Sequence, residues 1–252
     1  MCSSDLGSGK TVAVGYNAHA NGGVSVAIGF NAETNGAYAT AIGWNTKANG
    51  IGSFAAGYGA LASMIGGTAI NAAATAREAT AMGYGAKASG TYGVAMGSSA
   101  QASGQGAVAV GGQNIDQGGG APRYTLADGR HAVALGSGAA AIGDNSLAMG
   151  GNSLAGADID SVTTGLHAIA IGGEAWATED NAVVLGYNSY AQAVGATVLG
   201  SNAWTTKAAT NSVSLGSGSL ADRANSVSVG AALAWTDSAG VVHAAIDRQI
   251  TN

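Results

Sequence analysis

A fixed period of apolar residues runs through most of the chain. Between Val24 and Trp44 lie two apolar pentapeptides, SVAIG (Ser25–Gly29) and ATAIG (Ala39–Gly43), whose final glycines are fourteen residues apart. The more polar segment between them has its own glycine, Gly36, seven residues after Gly29. A short fixed period of this kind predicts a solenoid in which each repeat forms one coil.

The same register continues from the N-terminus towards the C-terminus, with two interruptions. Asn71 takes the place of glycine in one coil, which the fold tolerates because asparagine adopts left-handed backbone more readily than other non-glycine residues. Residues 112–131 and 157–166 do not fit the period, and we expect loops there. Gly143 lies midway between two pentapeptide glycines, seven residues from each, and is included with them here. The set is Gly15, Gly29, Gly43, Gly57, Gly83, Gly97, Gly111, Gly136, Gly143, Gly150, Gly172, Gly186, Gly200, Gly216 and Gly230.

The two halves of each repeat differ in polarity. The pentapeptides are uncharged, and large residues such as Val26 and Ile28 alternate with small ones, a pattern typical of a strand buried on both faces. The other half, for example Thr46–Gly50 (TKANG), alternates small with long polar residues and predicts one packed face and one solvated face. Together the halves predict an all-β fold, a parallel β-roll with fourteen-residue coils stacked about 4.8 Å apart.

The pentapeptide strand predicts an assembly. A coil of fourteen residues can cover only one face of this strand, and an uncharged second face requires a partner. Small residues at the intervening positions would allow neighbouring chains to approach closely around a symmetry axis, which favours a homotrimer, although the spacing is also compatible with a dimer. The residues predicted to form this wall between chains are Ala13, Ala27, Ala41, Ala95, Ala109, Ala134, Ala170, Val184 and Val198.

Composition limits the class of protein. The chain has 43 glycines, one proline and 47% hydrophobic residues in 252, which argues against both collagen and disorder. The net charge of −5 gives no electrostatic reason to expect nucleic acid or an anionic membrane as partner. No apolar run approaches the length of a membrane span, no signal peptide is visible, and the single Cys2 forms no internal disulfide.

Motifs that would indicate chemistry are weak. The segment GSGKT ends like a phosphate-binding loop, but Ser4 stands where that motif needs a glycine five residues before Gly9. Asp144, Asp158 and Asp160 are interpreted as solvated loop residues in preference to a calcium site. No catalytic constellation stands out, so we predict no enzyme activity, no cofactor and no metal. The four histidines lack metal-ligand spacing: His19, His131, His167 and His243.

Several aromatic residues directly follow the pentapeptide glycines. They are Trp44, Tyr58, Tyr84 and Tyr187. We interpret them as covers for the corners of the coils, and an exposed row of such rings could also contribute to binding.

The last thirty-one residues carry the most specific motifs. DRANSVSVG (Asp222–Gly230) is followed by DRQITN (Asp247–Asn252). With the pentapeptide repeats, this pair resembles the YadA-like head of trimeric autotransporter adhesins and the neck below it. The resemblance implies a left-handed parallel β-roll, three chains in one head, and a neck that crosses between chains towards a coiled-coil stalk. It assigns to the neck Asp222, Arg223, Asn225, Asp247, Arg248, Gln249, Ile250 and Asn252.

The resemblance also suggests domain boundaries. The head would span 1–221, with insertions at about 112–131 and 157–166, and the neck would span 222–252. Sixteen residues, 231–246, separate the two neck motifs, so we expect an elongated neck with an additional strand pair at Trp235 and Val241–Val242. Arg223 and Arg248 are expected to pair with carboxylates such as those of Asp222 and Asp247, either between chains or as loose surface pairs.

The function that the resemblance implies is attachment. The chain would be a bacterial surface adhesin head, held at the outer membrane by a C-terminal anchor outside this sequence. Its partners would be two further copies of itself and an extracellular-matrix or cell-surface ligand. A trimeric phage fibre and an ice-binding or surface-binding β-solenoid are the alternatives. Ice binding needs a ladder of one residue type, whereas the outward column reads His19, Glu33, Lys47, Lys87 and Gln101.

Overall fold

The fourteen-residue period appears in the structure as parallel strand pairing between successive coils. In a computed structural model of the chain, residues 4–6, 9–113, 123–156, 165–237 and 240–248 are described. Val12 pairs with Val26, and Val26 pairs in turn with Thr40, each fourteen positions on. The described residues contain strands and turns and no helix, so the all-β parallel solenoid is confirmed.

The chain divides into two compact units, residues 1–131 and 132–252. The strands of the first unit are β1 (Ser4–Leu6), β2 (Val12–Val14), β3 (Ala18–Ala20), β4 (Val26–Ile28), β5 (Glu33–Thr34), β6 (Thr40–Ile42), β7 (Lys47–Ala48), β8 (Phe54–Ala56), β9 (Leu61–Ala62), β10 (Thr68–Ile70), β11 (Ala73–Ala74), β12 (Thr80–Met82), β13 (Lys87–Ala88), β14 (Val94–Met96), β15 (Gln101–Ala102), β16 (Val108–Val110) and β17 (Leu126–Ala127).

The second unit continues the same alternation of three-residue and two-residue strands. Its strands are β18 (Val133–Leu135), β19 (Ala140–Ala141), β20 (Leu147–Met149), β21 (Leu154–Ala155), β22 (Ile169–Ile171), β23 (Trp176–Ala177), β24 (Val183–Leu185), β25 (Tyr190–Ala191), β26 (Thr197–Leu199), β27 (Trp204–Thr205), β28 (Val213–Leu215), β29 (Leu220–Ala221), β30 (Val227–Ser228), β31 (Trp235–Thr236) and β32 (Val242–His243).

Each unit contains two parallel sheets that face each other across the coil. The even-numbered strands β2–β16 and β18–β30 carry the pentapeptides and are called the pentapeptide sheet. The odd-numbered strands β1–β17 and β19–β29 carry the second half-repeats and are called the return sheet. The pairing distance departs from fourteen at two further places, since Thr68 pairs with Thr80, twelve positions on, and Thr197 pairs with Val213, sixteen positions on.

The interior of the coil is narrow and is filled by small side chains. Ala27 and Ala41 of the pentapeptide sheet and Ala48 of the return sheet are fully buried. Buried hydroxyl groups form hydrogen bonds within the coil. Thr34 Oγ1 donates to Ser25 Oγ at 2.9 Å, and Ser25 Oγ donates to the Gly22 carbonyl at 2.8 Å. The interior takes alanine at most positions and valine at Val184 and Val198, and the other apolar residues of the pentapeptide strands point outward.

The turns explain why glycine and asparagine recur. Asn71 has φ of +49°, which confirms that it replaces glycine in left-handed backbone. The pentapeptide glycines have a second reason, because a Cβ built on Gly29 would lie 2.1 Å from the Gly43 carbonyl oxygen of the next coil. Close stacking of one turn upon the next therefore excludes a side chain at this position.

The two insertions are shorter than the sequence indicated. Leu126 and Ala127 already form β17, and the His131 amide bonds to the Gln105 carbonyl at 2.8 Å, so residues 126–131 belong to a coil. At the second site, Gly165 donates to the Gly156 carbonyl, and His167 donates to the Asp144 carbonyl at 3.0 Å. The remaining parts of the two predicted loops, residues 114–122 and 157–164, lie outside the described residues.

Candidate interaction surfaces

The alanine column of the pentapeptide sheet lies inside the coil of its own chain. Eight of the nine residues predicted to form a wall between chains have no exposed surface, and Ala13, in the first coil of this sheet, is partly exposed. Side chains of another chain cannot contact such residues. This corrects the sequence interpretation, which chose the wrong one of the two alternating sets: the interior is too narrow for the large residues and takes the small ones.

The large residues that flank this column form the outward face of the pentapeptide sheet. Ten of the large apolar side chains on this face are exposed, from 36% at Val110 to 66% at Val227, the others are half-buried, and no residue of the face carries a charge. The outward residues are Val12, Val14, Val26, Ile28, Thr40, Ile42, Phe54, Ala56, Thr68, Ile70, Thr80, Met82, Val94, Met96, Val108 and Val110 in the first unit. In the second unit they are Val133, Leu135, Leu147, Met149, Ile169, Ile171, Val183, Leu185, Thr197, Leu199, Val213, Leu215 and Val227. Apolar surface of this extent indicates an interaction site.

The outward face of the return sheet is polar at the start of the first unit, as its sequence predicts. His19, Glu33 and Lys47 follow each other on neighbouring strands, and Lys47 Nζ lies 3.2 Å from Glu33 Oε2. The Asn35 amide donates to Glu33 Oε1 at 2.8 Å. This hydrogen bond and the Lys47 ammonium lower the pKa of Glu33 from its ordinary value, against a smaller effect of partial burial.

The same face of the second unit is aromatic, which the sequence analysis missed. Trp176, Tyr190 and Trp204 lie on adjacent strands, and their ring centroids are 5.4 and 5.0 Å apart in edge-to-face geometry. A signal was available in the sequence, because these residues are fourteen positions apart. The repeats from which a solvated face was predicted all lie in the first unit.

Four aromatic rings stack on one another at a corner of the first unit. Tyr16, Phe30, Trp44 and Tyr58 have successive centroid distances of 5.2, 6.0 and 4.5 Å and interplanar angles of 14–23°. They are between 42% and 70% exposed. Because their faces are turned towards each other, the stacked rings present mainly their edges to solvent. Tyr84 and Tyr187 are exposed at the equivalent corners of other coils.

Asparagine side chains form a second ladder beside these rings. Asn17 donates to Asn31 at 2.9 Å, and Asn188 and Asn202 repeat this contact at 2.8 Å in the second unit. Along another corner, Asn21 donates to Asn35 and Asn35 to Asn49, at 3.0 and 2.9 Å. The corners are therefore held by contacts between identical side chains of successive coils.

The neck region contains the additional strand pair. Trp235 and Thr236 of β31 pair antiparallel with His243 and Val242 of β32, and Ala231 bridges to Ile246. We call residues 231–246 the neck hairpin; its residues 238–239 are not described. The hairpin packs on the aromatic face, since the Trp235 ring lies 5.3 Å from that of Trp204 and stacks on that of His243 at 4.1 Å.

The two arginines of the neck behave differently. Arg223 Nε lies 3.7 Å from Asp222 in a pair that is exposed on both sides, which agrees with a loose surface pair. Arg248 instead binds the end of the solenoid: its guanidinium donates to Ser219 Oγ at 2.9 Å, to the Val229 carbonyl at 2.7 Å and to the Ser217 carbonyl. The predicted pairing of Arg248 with a carboxylate is replaced by hydrogen bonds to the last coils.

The other neck residues are only partly described. Asn225 adopts left-handed backbone with φ of +53°, and Asp222 and Asp247 are exposed. Gln249, Ile250 and Asn252 lie outside the described residues.

The weak chemical motifs lead to no assembled site. After Gly9 and Lys10 the chain enters strand β2, where a phosphate-binding loop requires a helix. Asp158 and Asp160 are outside the described residues, and no group of three metal-ligating side chains occurs within the described part. In that part of the chain there is also no helix long and apolar enough to cross a membrane.

The crystal structure of the collagen-binding domain of the Yersinia adhesin YadA aligns with 21% sequence identity over 90% of this chain and 86% of that chain, with a TM-score of 0.32. No curated protein sequence gives a match.

The sequence profile of the YadA head domain repeat matches the chain in nine segments, some of which overlap. They are residues 10–32, 24–46, 35–60, 74–100, 88–114, 127–153, 164–189, 177–203 and 208–232. These matches cover more than half of the chain and follow the coils seen in the structure, and the chain therefore belongs to the family of YadA head domain repeats.

Proposed function

We propose that the chain is the head and neck of a bacterial surface adhesin that acts as a homotrimer and has no catalytic role. The observation that supports assembly into a trimer is the uncharged, apolar outward face of the pentapeptide sheet, on which Leu185 is 51% exposed. Membership of the YadA head repeat family supports adhesion as the role of the assembly.

Burial of the outward face is the step that drives assembly. Apolar surface stabilises a complex by about 25 cal/mol per Å² removed from water, and a face repeated on every coil adds this gain many times. Closed symmetry would cover the face on every chain, because each copy presents the same surface. In this assembly the outward valines, isoleucines and leucines form the contact between chains, and the alanines remain inside each coil.

Adhesion would then use the surfaces that stay exposed. The return sheet and the corners repeat their side chains from coil to coil, and three chains multiply these contacts, so weak individual interactions give strong attachment. The segments that contain residues 114–122 and 157–164 interrupt the repeats, and insertions of this kind add specificity on a rigid scaffold. The ligand would be a matrix or cell-surface component, or an abiotic surface.

An ice-binding role has less support. It requires one residue type in a continuous ladder, and the outward columns mix residue types: His19, Glu33 and Lys47 follow each other on the return sheet. On the pentapeptide sheet, Thr40 is followed by Phe54.

Attachment is tested with beads that carry the chain. The chain is fused after Asn252 to a trimeric coiled coil, coupled to beads, and applied to surfaces coated with matrix proteins, to cultured cells and to bare glass. The proposal predicts retention on at least one surface, well above that of beads carrying the coiled coil alone. Retention equal to this control on every surface contradicts an adhesive role.

A further inference from the structure

The three Asn–Gly sequences of the chain all belong to one ladder of asparagine side chains. They are Asn21–Gly22, Asn35–Gly36 and Asn49–Gly50. Asparagine before glycine is the arrangement most open to deamidation, because glycine has no side chain to hinder attack by its backbone nitrogen on the preceding side chain. The contacts around each asparagine therefore determine which of the three reacts first.

The glycines are packed alike at the three sites. A Cβ on Gly22, Gly36 or Gly50 would lie 1.9–2.0 Å from a backbone oxygen of the next coil. Stacking thus restrains the backbone that carries the attacking nitrogen to a similar extent in each coil. What differs between the sites is the hydrogen bonding around the asparagine side chain.

The side chains of the ladder are held unequally. The Asn35 amide nitrogen donates to Glu33 Oε1 at 2.8 Å and to Asn49 Oδ1 at 2.9 Å, and the charge of the carboxylate strengthens the first of these bonds. The Asn21 amide nitrogen donates to Asn35 Oδ1 at 3.0 Å. The Gly22 nitrogen, which would attack Asn21, itself donates to a carbonyl of the next coil at 3.2 Å.

Asn49 stands at the end of this ladder. It accepts the hydrogen bond from Asn35, and in the described part of the chain its own amide nitrogen donates to no protein group. Deamidation requires the side chain to turn its Cγ towards the following nitrogen, which breaks one hydrogen bond at Asn49 and three at Asn35. Exposure favours the opposite order, since Asn21 and Asn35 are exposed and Asn49 is half-buried.

We propose that Asn49 is a site of spontaneous deamidation in the folded chain, and that the ladder protects Asn21 and Asn35. The Gly50 nitrogen loses its proton to solvent base and attacks Asn49 Cγ, and ammonia leaves as the new C–N bond forms. Water then opens the five-membered succinimide and yields aspartate or isoaspartate. The reaction consumes only water.

A carboxylate at position 49 is compatible with the fold. Aspartate keeps an oxygen that accepts the hydrogen bond from Asn35. Asp128 already occupies the equivalent place in a later coil, directly after β17 and before a glycine, as Asn49 directly follows β7. The modification would add a negative charge to the face of the return sheet that carries Glu33 and Lys47. It concerns one chain and depends on neither trimer formation nor adhesion.

Trypsin separates the sites for a direct test. It cleaves after Lys47 and leaves Asn49 in the peptide 48–77, apart from Asn21 and Asn35 in the peptide 11–47. The folded chain is kept at mildly alkaline pH, sampled over weeks, digested and analysed by mass spectrometry, with fragment spectra to locate each new carboxylate. A digest at time zero corrects for deamidation during digestion. The proposal predicts that the acid form accumulates several-fold faster at Asn49 than at either other site.

Two variants and a denatured sample test the role of the ladder. In denaturing urea the three sites should react at similar rates. Asn49→Ser, which copies Ser63 at the equivalent place of the next coil, should abolish the reaction at this position. Glu33→Gln, which removes the charged acceptor of Asn35, should raise the rate at Asn35 and leave that at Asn49 unchanged.

The proposal is overturned if the folded chain reacts at Asn49 no faster than at Asn21 or Asn35. It is also overturned if Asn49 stays intact in the folded chain over a period in which the urea sample is converted, because stacking then protects all three sites alike.

Discussion

At the scale of single residues, the contact between successive turns decides which positions must be glycine. A Cβ on Gly22 would lie 2.0 Å from the Gly36 carbonyl oxygen, whereas a Cβ on the adjacent Gly23 would have no atom within 4 Å. Neither residue has a φ in the left-handed range, so backbone strain does not enter the comparison. The two glycines therefore differ in whether backbone atoms of the next coil lie close to the position of a Cβ.

This difference gives a matched pair of substitutions. Gly22→Ala is expected to lower the free energy of unfolding by about 1–3 kcal/mol, because the next coil must move away. Gly23→Ala is expected to be neutral or to stabilise by about 0.4–1 kcal/mol through the unfolded state. Urea unfolding followed by circular dichroism measures both, and equal midpoints for the two variants would contradict the stacking argument.

The contacts of the Glu33 carboxylate are expected to make part of the free energy of unfolding depend on pH. Its pKa is lower in the folded chain than its ordinary value of 4.5, first because of the hydrogen bond from Asn35. The stabilisation is therefore complete above pH 4.5 and is lost as the pH falls through the pKa of the folded state. Glu33→Gln is expected to destabilise by less than about 1 kcal/mol at neutral pH, since the pair is partly solvated.

The measurement is the unfolding midpoint of Glu33→Gln and wild type from neutral pH to pH 3. The difference between the two should shrink as the pH falls below 4.5, because protonation of Glu33 in wild type removes the charged acceptor. Glu78→Gln is the control, because the ion pair described for the Glu78 carboxylate is a 4.0 Å contact with the adjacent, exposed Arg77, and the substitution should change little at any pH. A difference for Glu33→Gln that grows as the pH falls would contradict the assigned contacts.

At the scale of elements, the period predicted the strands well and their outward faces less well. Asn71 and the shifted pairing of Thr68 with Thr80 follow from spacing alone, because spacing fixes register in a stacked coil. Which alternate residue points inward depends on the width of the interior, and that width is a tertiary property. For this reason the alanine column was assigned to the wrong side.

The aromatic outward face of the return sheet in the second unit also could not be predicted from the repeat pattern. Trp176, Tyr190 and Trp204 occupy the position that His19 and Lys47 occupy in the first unit. A repeat consensus averages over such differences and therefore conceals them. The neck hairpin is different, since its strand pairing was predicted from local sequence whereas its docking on Trp204 was not.

The hydrogen bonds from Arg248 to the last coils are expected to stabilise the chain more than the exposed pair of Arg223 does. Arg248→Met should lower the free energy of unfolding by about 1–3 kcal/mol, because the Ser217 and Val229 carbonyls lose a charged donor. Arg223→Met, which breaks only the exposed pair with Asp222, should change it by less than about 1 kcal/mol. Thermal unfolding of the two variants checks this order, and a larger loss for Arg223→Met would reverse the assignment.

At the scale of the whole molecule, the question is what covers the outward face of the pentapeptide sheet. Its apolar side chains recur on coil after coil in both units, for example Ile28, Ile42, Leu185 and Leu215. The return sheet offers a contrast, because Lys47 and Glu33 make a polar outward face at the start of the first unit. A chain that assembles through one face and binds through another requires such a difference.

Solution mass, measured by light scattering on the chain alone, tests this account most directly. The account predicts three times the chain mass of 24.1 kDa for the wild type. Ile28→Glu/Leu185→Glu, with one charge on the outward face of each unit, should shift the mass towards that of a single chain. Lys47→Glu, at an outward position of the return sheet, should leave the trimer intact. A wild-type mass of one chain, or a trimer that persists with both charges in place, would contradict the assignment of this face to contact between chains.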